Sequence, residues 1–259
     1  MDADVDEVTE LLARRRAVLA ALADGPRTKR ELESALDVSR STVDRAVRSL
    51  ESADFVERSN GGVSLTLLGR IAMDGFASFA DGLEGLGQAA PLLGQIDRDE
   101  PLPFALFEDA MIVLANRASP HRPIVALTQF LDEASEVHTI ATGLLPEYVD
   151  AYHEQVVEKG MTVEFVVRTE VLNDLLATFW DPVDEIIETG RSRLYEIPDD
   201  PPYSIKIGDT GDGEEVAIVF YGEHGVNGFI RSDRPEAVRW AWEEYERIRE
   251  NAELVAPSS

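Results

Sequence analysis

No cysteine occurs in the chain, which excludes disulfides, thiolate nucleophiles, iron–sulfur clusters and cysteine-ligated zinc. Lysine is nearly as scarce. Of 24 basic residues only Lys29, Lys159 and Lys206 are lysine, against 50 aspartates and glutamates, and the formal charge is −26. This balance reads as the solvated acidic surface of a protein from a salt-loaded cytoplasm, and it bears on solubility and not on fold. No window approaches ~18 uninterrupted apolar residues, and the chain opens Met1-Asp-Ala-Asp-Val-Asp-Glu where a signal peptide has a basic run and an apolar segment. Neither a membrane span nor a targeting segment is expected, and the expected location is the cytoplasm. The four histidines, His121, His138, His153 and His224, are scattered without metal-ligand spacing, so neither a metal nor a cofactor is expected.

What is present suits packed cores: 44% of residues are hydrophobic, and 259 residues make one large domain or two of ordinary size. The charge is unevenly spread. Residues 14–70 hold 11 basic and 8 acidic side chains, whereas residues 71–259 hold 13 and 37. A local positive excess inside so acidic a chain points to a polyanionic partner.

That basic segment divides by periodicity. Val5, Val8, Leu11, Leu12, Val18, Leu19 and Leu22 recur at helical spacing until Asp24-Gly-Pro26 stops them. Thr28-Lys-Arg-Glu31 has the form of a capping box and opens a short second helix with Leu32, Ala35 and Leu36 on its buried face. Asp37-Val-Ser39 makes a turn. A third helix follows with Ser39 as N-cap, burying Val43, Ala46, Val47 and Leu50 while exposing Arg40, Ser41, Asp44, Arg45 and Arg48. Two short β segments flank Ser59-Asn-Gly-Gly62, in which Asn60-Gly61 suits a tight hairpin turn. Residues 68–93 continue at helical spacing through Leu68, Ile71, Ala72, Phe76, Phe79, Leu83 and Leu86, although Gly75, Gly82, Gly85 and Gly87 weaken an isolated helix. A long apolar helix in this position is expected either to pair two protomers or to pack within one chain.

The element order and the run Asp37-Val-Ser-Arg-Ser-Thr-Val-Asp-Arg-Ala-Val-Arg-Ser-Leu50, with Leu67-Leu-Gly-Arg70 after the hairpin, resemble archaeal and bacterial winged helix-turn-helix transcription regulators. The resemblance implies double-stranded promoter DNA as partner. It places Lys29, Arg40, Ser41, Thr42, Arg45 and Arg48 on or beside the major groove, and Arg58 and Asn60 at the wing against phosphate or minor groove. Arg45 and Arg48 are the preferred base readers, since arginine reads guanine bidentately. The alternative is a solvated arginine face on a protein-binding winged helix.

Beyond Asp97-Arg-Asp-Glu-Pro-Leu-Pro103, strand-like runs at 111–115, 137–141, 162–167, 193–197, 203–207, 216–221 and 226–231 alternate with helical ones at 124–134, 146–158, 170–178, 182–189 and 235–249. The early alternation predicts parallel β-α-β units and the closely spaced last strands predict antiparallel hairpins, together an α/β domain with a mixed sheet. The expected division is a winged helix over 1–70, a connecting helix over 71–100 and an α/β effector-sensing or dimerisation domain over 101–259.

Thr142-Gly-Leu-Leu-Pro146, Tyr203-Ser-Ile205 and Ile230-Arg-Ser-Asp-Arg-Pro-Glu-Ala-Val-Arg-Trp240 resemble the C-terminal domain of archaeal regulators related to the methanogen filamentation regulator. More distantly they resemble the phospholipase-D-like effector domain of archaeal sugar-sensing, TrmB-type regulators. As a whole the chain looks like a haloarchaeal regulator of this kind, and a homodimer is implied. Phospholipase-D chemistry needs a histidine with a lysine two positions on, and none of the four histidines has one, so no catalytic residue and no enzyme activity are expected. A degenerate phosphodiesterase using Lys206 or His138 is the enzyme alternative. Ligands of open α/β sheets bind beyond the carboxyl ends of the strands, where Thr142 and Gly143 precede one helix and Arg168 and Thr169 the next. An anionic metabolite such as a phosphorylated sugar suits those positions. Tyr203 and Lys206 are further candidates, although a rare lysine can also serve only to cover apolar surface with its stem.

Overall fold

The computed structural model describes residues 4–59, 61–96, 102–198, 201–222 and 225–255. The chain forms two compact units, Met1–Asp81 and Gly82–Ser259.

In the first unit α1 (Val5–Ala21), α2 (Lys29–Leu36) and α3 (Arg40–Ser52) precede the hairpin β1 (Val56–Ser59) and β2 (Gly62–Leu65), after which α4 (Leu67–Leu93) begins. The predicted caps form. The Thr28 hydroxyl accepts from the Glu31 amide while the Glu31 carboxylate accepts from the Thr28 amide at 2.7 Å, and Ser39 accepts from the Thr42 amide. These bonds occupy amide donors that a helix start leaves unpaired. Leu19, Leu22, Leu32, Val43, Val47, Leu50 and Phe55 close one core, joined from α4 by Ala72, Met73 and Phe76. The hairpin register pairs Val56 with Leu65 and Ser59 with Gly62. A feature not expected from the sequence is a third, one-residue strand: Arg27 and Val63 exchange backbone hydrogen bonds of 2.9 and 2.8 Å, tying the hairpin to the segment before α2.

The second unit is built on an eight-stranded sheet. Its elements are β3 (Met111–Leu114), α5 (Arg122–Glu133), β4 (Glu136–Ala141), α6 (Pro146–His153), β5 (Thr162–Arg168), α7 (Thr169–Thr178), α8 (Trp180–Glu188), β6 (Ser192–Ile197), β7 (Ser204–Asp209), β8 (Glu214–Gly222), β9 (Gly225–Ser232), α9 (Pro235–Arg249) and β10 (Glu253–Leu254). The strand order is β10-β6-β5-β4-β7-β8-β9-β3. β4, β5 and β6 run parallel, as expected from their intervening helices, and β7, β8 and β9 are antiparallel hairpins. One expectation is corrected: the strand at Met111–Leu114 does not start the parallel series but crosses to the far edge, antiparallel to β9. Local alternation of strand and helix carries no information on which edge an early strand joins. The helix expected over 146–158 also divides, the α-helical part ending at His153 and Glu154–Glu158 forming a π turn.

Both faces of this sheet are covered, so alternate residues of each strand serve different cores. Ile205 and Ile207 of β7, with Val216, Ile218 and Ile230, face α9 and the buried Ala89 and Leu92 of α4. Val137, Ala217, Val219 and Phe229 face α5 and α6, with Leu127, Phe130, Tyr148 and Tyr152. No described helix is long and apolar enough to cross a membrane.

Gly69 permits the first turn of α4 to lie against the chain before β1, because a Cβ there would stand 1.9 Å from the Phe55 carbonyl oxygen. Gly75, on the same helix, has nothing within 4 Å of that position. Gly69→Ala should therefore destabilise by roughly 2 kcal/mol or more through overpacking, whereas Gly75→Ala should stabilise by up to ~1 kcal/mol through helix propensity. Thermal unfolding of the two variants in molar KCl checks both signs.

Candidate nucleic-acid interface and ligand cavity

The turn between α2 and α3 places Asp37 in the left-handed region at φ 51°, which lets the chain reverse so that α3 presents an outer face. On that face Arg40, Ser41, Thr42, Arg45 and Arg48 are exposed. Ser41 and Thr42 lie with their hydroxyls 3.0 Å from the capping Ser39, so the start of the helix carries a small hydroxyl cluster. The basic residues divide by what already holds them. Lys29 is ion-paired with Asp44 of α3, and Arg58 of the hairpin reaches Glu51 at 2.8 Å. Arg48 donates to the Asp44 carbonyl at 3.3 Å. Arg40 and Arg45 have no ion-pair partner among the described residues. Lys29 close to Asp44 holds that carboxyl below its ordinary range and ties α2 to α3, a part that the sequence alone did not reveal. Asn60 lies outside the described residues.

In the second unit a partly open cavity of about 70 Å³ lies between the parallel half of the sheet and the helices α6, α7 and α8. Its sheet side is Ala141, Phe165, Val167, Leu194 and Lys206, and its helix side includes Tyr148, Tyr152, Val171, Leu175, Val183 and Ile186. Lys206 is 2% exposed and, among the described residues, is the one charged side chain lining it. Its ammonium donates to Thr139 Oγ1 at 3.1 Å and stands 5.8 Å from the centre of the Tyr152 ring. Burial without a nearby carboxylate lowers its pKa from the ordinary 10.5 to about 7. The Tyr148 and Tyr152 hydroxyls are buried without an aligned hydrogen bond, although Tyr221 approaches the first and Thr139 the second.

The other sequence candidates separate around this cavity. The Thr142 amide donates to Ser204 Oγ at 2.9 Å, and the Ser204 hydroxyl approaches Tyr221 at 3.4 Å. Gly143 lines the cavity, and its lack of a side chain makes room for the Tyr221 ring, which a Cβ would approach to 2.6 Å. Arg168 pairs with Glu170 at 2.8 Å, and the Thr169 hydroxyl donates to the Glu196 carboxylate at 2.6 Å. Tyr203 is buried on the opposite face, against Phe220 and Trp240. The tyrosines of α6 and the apolar faces of α7 and α8 supply much of the lining and were not singled out in the sequence, because their spacing is indistinguishable from that of ordinary core.

His138 and Lys206 stand on neighbouring strands but on opposite faces. Lys206 is opposite Thr139 in the β4–β7 register, whereas His138 packs at 4.8 Å against Trp242 of α9 and lies 3.1 Å from Glu136. They cannot hold one phosphoryl group between them. No group of three or more metal-ligating side chains occurs among the described residues.

The depressed Lys206 pKa has a sign that can be tested. The unfolded chain keeps this amine charged up to about pH 10.5, while the fold releases the proton near 7, so its effect on stability grows more favourable as pH rises between those values. Below pH 7 the fold must bury the charge. Lys206→Met should therefore stabilise the protein by ~1–4 kcal/mol at neutral or lower pH, with the advantage shrinking as pH rises toward 10. Urea unfolding of wild type and variant across pH 6–9.5 checks this.

A family model described as the N-terminal domain of HVO_A0261 matches residues 3–85. No curated protein matches the chain. Among solved structures, TrmBL2, an archaeal chromatin protein, is 19% identical, with 97% of this chain and 100% of that chain covered and a TM-score of 0.42. The phospholipase D family member Nuc from Salmonella typhimurium is 13% identical over 57% of this chain and 98% of its own, with a TM-score of 0.43. Polyphosphate kinase from Porphyromonas gingivalis is 13% identical, with 68% of this chain and 27% of that chain covered and a TM-score of 0.42. A second family model, that of the methanogenesis regulatory protein FilR1, middle domain, matches residues 120–251, a little over half of the sequence, and the chain belongs to that family.

Proposed function

We propose that the chain is a sequence-specific DNA-binding transcription regulator, dimeric on promoter DNA, whose second unit binds an anionic metabolite as effector. The observation that carries the reading is the outer face of α3: Arg40, Ser41, Thr42, Arg45 and Arg48 are all exposed on a capped helix behind a turn, in the positively charged segment of a chain with formal charge −26. A helix of this width and polarity fits the major groove. Membership in a regulator's domain family supports the same reading. Arg45 without a carboxylate partner is free to read a base edge, and Lys29 acts mainly by bracing α3 through Asp44.

Dimerisation through α4 is supported by Leu67, Leu68 and Ile71, which are 70%, 40% and 63% exposed at its start. A two-fold pair would set two recognition helices roughly 34 Å apart, one turn of DNA. Against molar salt, phosphate attraction contributes little, so base contacts and the doubled site carry the affinity.

Fluorescence anisotropy with the chain's own upstream DNA, titrated in molar KCl, tests this. Saturable binding is expected for wild type, and Arg45→Ala/Arg48→Ala should weaken it at least about thirtyfold with the circular dichroism spectrum unchanged, since each lost bidentate base contact costs ~1–3 kcal/mol. Retained operator affinity in that variant would remove α3 as the reading element. Ile71→Glu should shift the protein to monomer in sedimentation velocity.

A further inference from the structure

The cavity under α6, α7 and α8 has a composition that narrows its ligand, and the argument rests on reading the second unit as an effector domain. Its walls are aliphatic over most of their extent: Leu144, Val149, Val167, Val171, Leu175 and Ile186. A phosphorylated sugar would leave its hydroxyls unpaired against such walls, at a cost for each of them. In its wall stands an amine that is 98% removed from solvent, with one hydrogen-bond partner, Thr139, for its three donors. Tyr148 and Tyr152, whose buried hydroxyls lack an aligned partner, line the same cavity, the centre of the Tyr152 ring 5.8 Å from the amine. The charged and titratable groups about this site are Lys206 on β7, Tyr148 and Tyr152 on α6 and Tyr221 on β8, with Glu147 of α6 acting on Tyr148 from outside the lining; among the described residues no carboxylate lines the cavity. A buried amine and two tyrosines whose hydroxyls lack an aligned partner thus share one apolar cavity.

We infer that this cavity binds a small monocarboxylic acid with an apolar tail, its carboxylate taken by Lys206 and the tyrosine hydroxyls of α6 and its tail lying among the side chains of α7 and α8. The carboxylate gives the buried ammonium the counter-charge it lacks, and the tail displaces whatever occupies an apolar space without losing hydrogen bonds. The volume of about 70 Å³ sets a short tail, with further length accommodated only toward the open side. Because the free amine releases its proton near neutrality, a carboxylate binding above pH 7 brings one proton with it.

Isothermal titration of the full chain in molar KCl, with acetate, butyrate, hexanoate and octanoate as probes and hexanamide and glucose 6-phosphate as comparisons, tests the inference. Affinity should rise about fourfold per added methylene among the short acids, as expected for buried CH₂ groups, and level off once the tail fills the cavity. Hexanamide and glucose 6-phosphate should bind at least tenfold more weakly than hexanoate. At pH 8.5 the dependence of the heat on buffer ionisation should report uptake of close to one proton, falling toward none at pH 6. Lys206→Met should abolish hexanoate binding while remaining folded. Hexanoate binding that survives Lys206→Met, a preference for glucose 6-phosphate, or absence of binding by every acid at millimolar concentration would each overturn the inference. Operator anisotropy with and without hexanoate is read separately: hexanoate binding with operator affinity unchanged supports the cavity assignment and removes the effector role.

Discussion

The register between β4, β7 and β8 is the constraint on which the second unit depends. At β7 the sheet changes from parallel to antiparallel, and this strand carries two cores at once: Ile205 and Ile207 toward α9, and Ser204, Lys206 and Gly208 toward α5 and α6. Pairing of Thr139 with Lys206 and of Val137 with Gly208 fixes which residues go where. A slip of one residue would send the lysine into the α9 core and the two isoleucines into the cavity, reversing both faces. Gly208 shows how tightly the register is held, since a side chain there would run into the Phe130 ring at 2.6 Å. The cavity is thus not a packing fault. It is the space left between α6, α7 and α8 and the parallel strands, with Lys206 of β7 in its wall.

The first unit solves a different problem, that of holding an arginine-rich face in a chain whose other surfaces are acidic. Asp44 sits on α3 among Arg40, Arg45 and Arg48 and could have neutralised any of them. It is engaged by Lys29 from α2, which braces the helix-turn-helix, while Arg40 and Arg48 act on the same carboxylate without an ion pair to it. Glu51 likewise takes Arg58 of the hairpin. These pairs are partly exposed, so each contributes little stability by itself. Their effect is positional: they decide which cations remain available at the surface and hold the hairpin and α2 in place around α3.

The elements of both units could be read from periodicity and capping signals, because those are local: Thr28 with Glu31 and Ser39 with Thr42 act within a few residues. Long-range pairing could not. The sequence shows a strand at 111–114 without showing that it joins β9 at the far edge, and it gives no sign that Arg27 adds a rung to the hairpin. For the cavity, the scarcity of lysine singled out Lys206, and the alternation in Tyr203-Ser-Ile205-Lys-Ile207 already separates Tyr203 from it by one strand face. The helical partners were hidden, since Val171, Leu175, Val183 and Ile186 have the spacing of any buried helix and only the tertiary arrangement reveals a space before them. Lys206 itself could equally have been a surface residue lying along its stem.

A fully buried lysine without a carboxylate is costly, and an apolar residue of similar length would fill the same volume at no electrostatic cost. Thr139 satisfies one of its donors, and the nearby tyrosines offer hydroxyls that are themselves short of acceptors. Folding therefore leaves an unmet demand for negative charge in the wall of an apolar cavity. Any molecule that meets that demand binds the folded state and not the unfolded one, and so shifts the folding equilibrium in proportion to the logarithm of its concentration. The free energy withheld from stability in the empty protein is then available to discriminate ligands: an amide or alcohol of the same shape recovers the apolar contacts but not the charge pairing. Specificity of this kind comes from leaving one strong interaction unmade, which is also why it cannot be recognised from the hydrophobic pattern of the strands and helices around it.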